Sequence, residues 1–127
     1  MILGIGVDLV DLKEFERIFN QTEKNFLDLV FTEEEKKTAE TKKDIKKLAG
    51  MFAIKEAIFK SLNLQQCDLK DNNYFTQIEI THLPCGKPQA HFLGELSKKF
   101  PENEFSLLVS LSYTANLAIS SALLEKK

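Results

Sequence analysis

The stretch from Leu3 to Val10 constrains the fold more than any other. Leu3, Ile5, Val7 and Leu9 alternate with Gly4, Gly6, Asp8 and Val10, the two-residue period of a strand. One face is apolar, and the other carries two glycines followed by a carboxylate. Glycine inside a strand marks a place where another backbone or a ligand comes close. The plainer reading of the same pattern is a strand crossing tightly packed structure, with Asp8 at its solvated end.

The next segment is helical. Asp11 and Glu14 have capping-box spacing, and Leu12, Phe15, Ile18 and Phe19 supply one apolar stripe. Thr32 before Glu33, Glu34 and Glu35 predicts a second helix start, with acids at its positive end. Lys36 to Lys47 is lysine-rich and reads as a solvated helix or loop. The clearest helix spans Lys46 to Leu62. Leu48, Met51, Phe52, Ile58, Phe59 and Leu62 form its core stripe, with Ala49, Ala53 and Ala57 as a neighbouring stripe of small residues.

The second half is strand-rich. Tyr74 to His82 and Gln89 to Leu93 flank the turn Pro84-Cys85-Gly86-Lys87-Pro88, which predicts a hairpin. Gly94 to Phe100 suits a short helix. Phe105 to Tyr113 and Leu117 to Glu125 suit two more strands. One strand, then helices, then strands gives an α+β fold: an N-terminal strand and helices packed on an antiparallel sheet. No repeat or linker interrupts the chain, so residues 1–127 are expected to form one domain.

Bulk properties narrow the function. The chain has 127 residues, 43% of them apolar, enough for one modest core. Its formal net charge of -2 provides no global field for nucleic acid or an anionic membrane. Arg17 is the single arginine, so phosphate contacts would come mainly from lysines and backbone N–H groups. Cys67 and Cys85 form no close ligand pair and suit a reducing cytoplasm. The apolar start is short, has no basic leader and contains Asp8, so it does not read as a signal peptide. His82 and His91 read as surface residues on opposite arms of the hairpin.

Asp8 and Glu56 are the acids of interest. Each sits on a regular element beside small residues, and two such carboxylates suit magnesium shared with phosphates. The competing reading is an ordinary Glu56–Lys60 surface pair, four apart on one helix face.

Four blocks carry a family resemblance. Gly4-Ile5-Gly6-Val7-Asp8-Leu9-Val10 is a glycine-rich strand ending in an aspartate. Phe52-Ala53-Ile54-Lys55-Glu56-Ala57-Ile58-Phe59-Lys60-Ser61-Leu62 is a helix with Lys-Glu-Ala and a further lysine. Gly86-Lys87-Pro88 is a hairpin turn, and Val109-Ser110-Leu111-Ser112-Tyr113-Thr114 is a late strand. In this order and spacing they resemble the bacterial holo-acyl-carrier-protein synthases, which are 4'-phosphopantetheinyl transferases.

The resemblance implies a reaction. A serine of an apo acyl carrier protein attacks the β-phosphate of coenzyme A with magnesium as cofactor. The 4'-phosphopantetheine arm is transferred and adenosine 3',5'-bisphosphate leaves, in support of fatty-acid biosynthesis. It further implies Asp8 and Glu56 as metal ligands and Glu56 and Lys60 as catalytic groups. Lys55, Lys60, Gly86, Lys87, Pro88, Ser112 and Tyr113 are implied as coenzyme contacts. Lys13 and Arg17, with Lys24 in reserve, are implied for the acidic carrier. A homotrimer with the coenzyme at the subunit interface is also implied. For Lys55 a neighbouring subunit, a coenzyme phosphate and plain solvent all remain open; for Ser112, a nucleotide phosphate or an ordinary strand position.

This sequence departs from that family in places. Tyr113 stands where histidine is common, and Met51 where arginine is common. Ser61-Leu62-Asn63-Leu64-Gln65-Gln66 lacks the usual glycines, and Glu14 and Glu16 dilute a helix that is usually basic. These departures motivate an alternative: a weakened relative that binds coenzyme A or a carrier without efficient transfer. A small interaction domain with ordinary surface carboxylates is the third possibility.

Overall fold

The computed structural model describes residues 1–40, 44–64 and 73–127. Strand β1 (Ile2–Asp11) leads directly into helix α1 (Leu12–Val30), followed by α2 (Glu33–Glu40) and α3 (Ile45–Ser61). A 3-10 turn (Phe75–Gln77) precedes the hairpin of β2 (Ile78–His82) and β3 (Pro88–Phe92). Helix α4 (Gly94–Lys99) and strands β4 (Phe105–Tyr113) and β5 (Leu117–Lys126) complete the chain. The strands form two antiparallel sheets, one ordered β1-β5-β4 and the other β2-β3.

Local chemistry sets the helix starts. Asp11 caps α1, its Oδ1 accepting from the Glu14 N–H at 2.9 Å, and Asp44 caps α3 from Lys47 N–H at 3.1 Å. Thr32 and Glu35 form a reciprocal capping box: Thr32 N–H donates to Glu35 Oε1 at 2.9 Å and Glu35 N–H to Thr32 Oγ1 at 3.3 Å. At the end of α3, Asn63 takes φ 56°, the left-handed conformation that asparagine tolerates best after glycine. It thereby does locally what a glycine would; Gln65 and Gln66 lie outside the described residues.

Helix α3 is the centre of the molecule. Leu48, Ala49, Met51, Ala53, Ile54, Ala57 and Ile58 are all buried, so the helix is enclosed on most of its circumference. Burial of each large aliphatic side chain here contributes about 1.5–3 kcal/mol. The three-stranded sheet covers one side of α3 through Val10, Ala118, Ala122 and Leu124. On the α1 side, Phe15, Phe26 and Phe52 pack with ring centroids 5.3–5.8 Å apart.

Strand β1 turns its glycine face, not its apolar face, toward α3. A Cβ atom on Gly4 would lie 1.9 Å from the Ser61 carbonyl oxygen, and one on Gly6 1.8 Å from that of Ala57. Helix and strand backbones are thus in direct contact. Ile5, Val7 and Leu9 point outward and are 71%, 57% and 58% exposed.

Two expectations change. Tyr74 to Gln77 does not join the hairpin strand; Tyr74 caps the 3-10 turn of Phe75–Gln77, and the pairing begins at Ile78. Ile18, expected in the core stripe of α1, is partly exposed, whereas Phe15 and Phe19 are buried. Gly94 adopts φ 55°, which suits the sharp entry into α4.

Candidate active site

The glycine face of β1 determines where its carboxylate falls. Two strand residues advance about 6.6 Å, close to the roughly 6 Å of four helical residues. Gly4 meets Ser61 and Gly6 meets Ala57, so the next inward residue, Asp8, comes level with Ala53. The cross-strand partner of Asp8 confirms this level: Ser120 Oγ donates to the Ala53 carbonyl at 2.6 Å. Glu56 lies within the same turn of α3, next to the buried Ala57.

Lys60 completes the cluster. Its ammonium donates to Asp8 Oδ1 at 3.1 Å and to the Val7 carbonyl at 3.0 Å. The ion pair therefore crosses from α3 to β1 rather than running along the helix to Glu56. The Lys60 side chain is 52% exposed and that of Asp8 15%, so the lysine is the solvent-facing partner and the aspartate the more buried one.

Glu56 has a partner that the sequence pattern did not reveal. The buried Tyr74 donates its phenolic hydrogen to Glu56 Oε1 at 2.7 Å. Burial, reinforced by the hydrogen bond to Glu56 and the charges of Glu56 and Asp8, raises the Tyr74 phenol above its ordinary range. It stays protonated and donates to Glu56. Local alternation had placed Tyr74 on a strand; nothing in its neighbours points to Glu56.

Two carboxylates, one on a strand and one on a helix, are a hard oxygen donor set. No group of three or more metal-ligating side chains occurs among the described residues. That count fits magnesium, which keeps several waters and takes one or two carboxylates plus substrate phosphates.

Lys55 requires a correction. It points neither to solvent nor to a ligand-accessible surface but is fully buried. Its ammonium donates to Glu35 Oε1 at 2.6 Å and to the carbonyls of Val30 and Phe75 at 2.7 and 2.8 Å. Glu35 Oε2 in turn accepts from the Ile80 N–H at 2.6 Å. Burial pushes the Glu35 carboxyl up and the Lys55 ammonium down, each opposed by the partner's charge. The pair ties α2, α3, the 3-10 turn and β2 together.

The remaining expected contacts lie elsewhere on the chain. Gly86 (φ 92°) and Lys87 are exposed at the hairpin tip, and Pro88 opens β3. Among the described residues the three share no hydrogen bond or ion pair with Asp8, Glu56 or Lys60. Ser112 faces outward on β4. Tyr113 packs on the first turns of α3: its hydroxyl donates to the Lys46 carbonyl at 3.3 Å, and the Lys46 ammonium stands 4.8 Å over its ring. Gly50 makes this possible, since a Cβ there would lie 2.1 Å from the Tyr113 hydroxyl. Burial and nearby Asp44 raise the Tyr113 phenol, so it does not titrate as a histidine would. Met51 is buried in the core. On α1, Lys13 is exposed, while Arg17 is engaged by Glu14 on its own helix, Nε at 3.2 Å from Oε2.

The architecture is a small α+β domain in which Asp8 pairs with Lys60 and Glu56 accepts from Tyr74. Residues 4–118 match the 4'-phosphopantetheinyl transferase superfamily. A holo-[acyl-carrier-protein] synthase of Geotalea daltonii is 33% identical over 99% of this chain and 100% of its own length. The crystal structure of such a synthase from Neisseria meningitidis superposes with a TM-score of 0.86, at 30% identity, covering 99% of this chain and 100% of that one. An ACPS–CoA complex from Chronobacterium ammoniagenes gives a TM-score of 0.81 at 27% identity, covering 98% and 97%. The chain belongs to the 4'-phosphopantetheinyl transferase superfamily and, within it, to the holo-acyl-carrier-protein synthases.

Proposed function

We propose that this chain, acting as one domain, transfers 4'-phosphopantetheine from coenzyme A to a serine of an apo acyl carrier protein, with magnesium and with release of adenosine 3',5'-bisphosphate. The observation that carries this reading is the Lys60–Asp8 pair at the close contact of β1 with α3, with Glu56 one helical turn before Lys60. The similarity to a coenzyme A complex supports the choice of substrate.

Asp8 and Glu56 are the residues that would hold the metal. When bound, magnesium supplies charge neutralisation at the pyrophosphate as the phosphoanhydride bond breaks. Lys60 releases Asp8 and swings its half-exposed ammonium onto a phosphate oxygen, where a point charge on a flexible stem is effective. Glu56 would act on the serine proton through a water, since its carboxylate oxygens are engaged by Tyr74 and by the metal it would hold. Lys13 and Arg17 remain the carrier contacts, with Arg17 partly neutralised by Glu14. Gly86, Lys87, Pro88, Ser112 and Tyr113 are proposed to meet coenzyme A, which would lie across a subunit boundary.

A homotrimer is proposed on one further observation. The outer face of the three-stranded sheet exposes Ile5, Val7, Leu9, Leu108 and Ile119, and Leu9 pairs with Ile119 across the sheet. A contiguous apolar face of this kind marks an interface. Among the described residues no helix is long and apolar enough to cross a membrane. The cytoplasm is the proposed site of action, with fatty-acid biosynthesis as its purpose. The exposed free thiol of Cys85 suits a reducing compartment.

The engagement of Tyr113 with Lys46 favours a second reading, in which coenzyme A binds but transfer is slow. Chromatography of a mixture with coenzyme A, magnesium and apo carrier separates the two. Adenosine 3',5'-bisphosphate accumulating with time, and suppressed by chelator, supports transfer. Coenzyme A binding without nucleotide release supports the weakened relative.

A further inference from the structure

We infer that Tyr74 is a positioning residue for Glu56, holding one carboxylate oxygen so that the other faces the cation. This rests on the reading of Glu56 as a metal ligand.

The phenol is fixed from several sides. Tyr74 is 3% exposed, and its ring stacks on Phe59 with centroids 3.9 Å apart and planes 14° from parallel. Phe75 packs at 4.3 Å on the next residue. The backbone is held as well: Tyr74 O accepts from Gln77 N–H at 3.1 Å, and Lys55 anchors the Phe75 carbonyl at 2.8 Å. A side chain so confined has one place for its hydroxyl, and that place is 2.7 Å from Glu56 Oε1.

Glu56 by contrast is a long, half-buried side chain with three rotatable bonds, and free it would sample several rotamers. Its carboxylate accepts no other hydrogen bond among the described residues. Tyr74 therefore selects the rotamer, occupies Oε1 and leaves Oε2 as the oxygen available to a metal ion. Partners that orient a ligand in this way typically change metal affinity about 10- to 100-fold when removed. The buried ion pair of Lys55 with Glu35 extends the arrangement, because Lys55 sets the carbonyl next to Tyr74 while its neighbour Glu56 receives the phenol.

The test compares wild type, Tyr74→Phe, Glu56→Gln and the double variant. Manganese binding in the presence of coenzyme A is read by electron paramagnetic resonance, and transfer rate is read against magnesium concentration. Tyr74→Phe keeps the ring stack and loses only the hydroxyl. We expect its manganese affinity to fall about tenfold. The magnesium concentration for half-maximal rate should rise in parallel, with the rate at saturation within about twofold of wild type. In the Glu56→Gln background the Tyr74 substitution should add no further loss. Unchanged manganese affinity in a folded Tyr74→Phe, or an equal loss in both backgrounds, overturns the inference. Phe59→Leu, which keeps the hydroxyl but loosens the stack, should give a smaller loss in the same direction; no loss contradicts the inference. Wild type that binds manganese without transfer refutes the functional reading, while the affinity ratio still decides the role of Tyr74. Wild type that binds no manganese refutes both.

Discussion

Lys60 reaches from α3 across to Asp8 on β1, its ammonium 3.1 Å from Oδ1, and not back along its own helix to Glu56. The pair is half in solvent, where an ion pair contributes only about 0–1 kcal/mol. Lys60→Met should therefore leave the denaturation midpoint nearly unchanged. Loss of an aimed positive charge at the phosphates should lower transfer about 100-fold. Equal losses of stability and activity would show that the lysine is structural.

The contact of β1 with α3 admits no side chain. Gly6→Ala would place a methyl group 1.8 Å from the Ala57 carbonyl oxygen, backbone against backbone. Overpacking of this kind costs about 3 kcal/mol or more. Urea denaturation of Gly6→Ala should show that loss, together with reduced transfer as Asp8 is pushed away from Glu56.

Lys55 should behave as part of the core. Lys55→Met strands the Glu35 carboxylate in a dry site, at a cost of about 3–5 kcal/mol. Adding Glu35→Gln should recover part of the loss, because the amide oxygen still accepts from Ile80 N–H without a buried charge. A Lys55→Met protein of wild-type stability and weakened coenzyme A affinity would restore the expectation of a coenzyme contact.

His82 gives a pH dependence of defined sign. Burial, with Lys47 nearby, holds its imidazole below the ordinary value of 6.5. The folded chain binds that proton more weakly than the unfolded chain. Stability from neutral His82 is complete above about pH 6.5 and is lost progressively as pH falls from there through the lower folded-state value. The urea midpoint should fall from about pH 7.5 to about pH 5.5, and His82→Gln should flatten that part of the fall.

Much of this was legible in sequence because it is local. Asp11 and Thr32 cap the helices they were expected to cap, and the glycines of β1 announced a close approach. The identity of the close neighbour was not legible, since the contacts from Gly4 to Ser61 and from Gly6 to Ala57 are tertiary. The choice of Lys60 between Asp8 and Glu56 depends on that same packing. Lys55 was misplaced because a lysine in Lys-Glu-Ala reads as exposed unless a carboxylate 20 residues earlier is known to fold onto it. Tyr74 was missed because strand-like alternation hid a 3-10 turn.

Assembly gives a further prediction. Val7→Lys puts a charge on the exposed apolar sheet face without touching α3. Light scattering should find wild type at three times the chain mass and Val7→Lys as monomer. A monomeric wild type would remove the basis for coenzyme A binding between subunits.

The transferase reading stands or falls on the intact mass of an apo acyl carrier protein incubated with this enzyme, coenzyme A and magnesium. We expect a gain of one phosphopantetheine, absent with chelator and in Glu56→Gln. An unchanged carrier mass across several carriers, with coenzyme A demonstrably bound, would refute that reading.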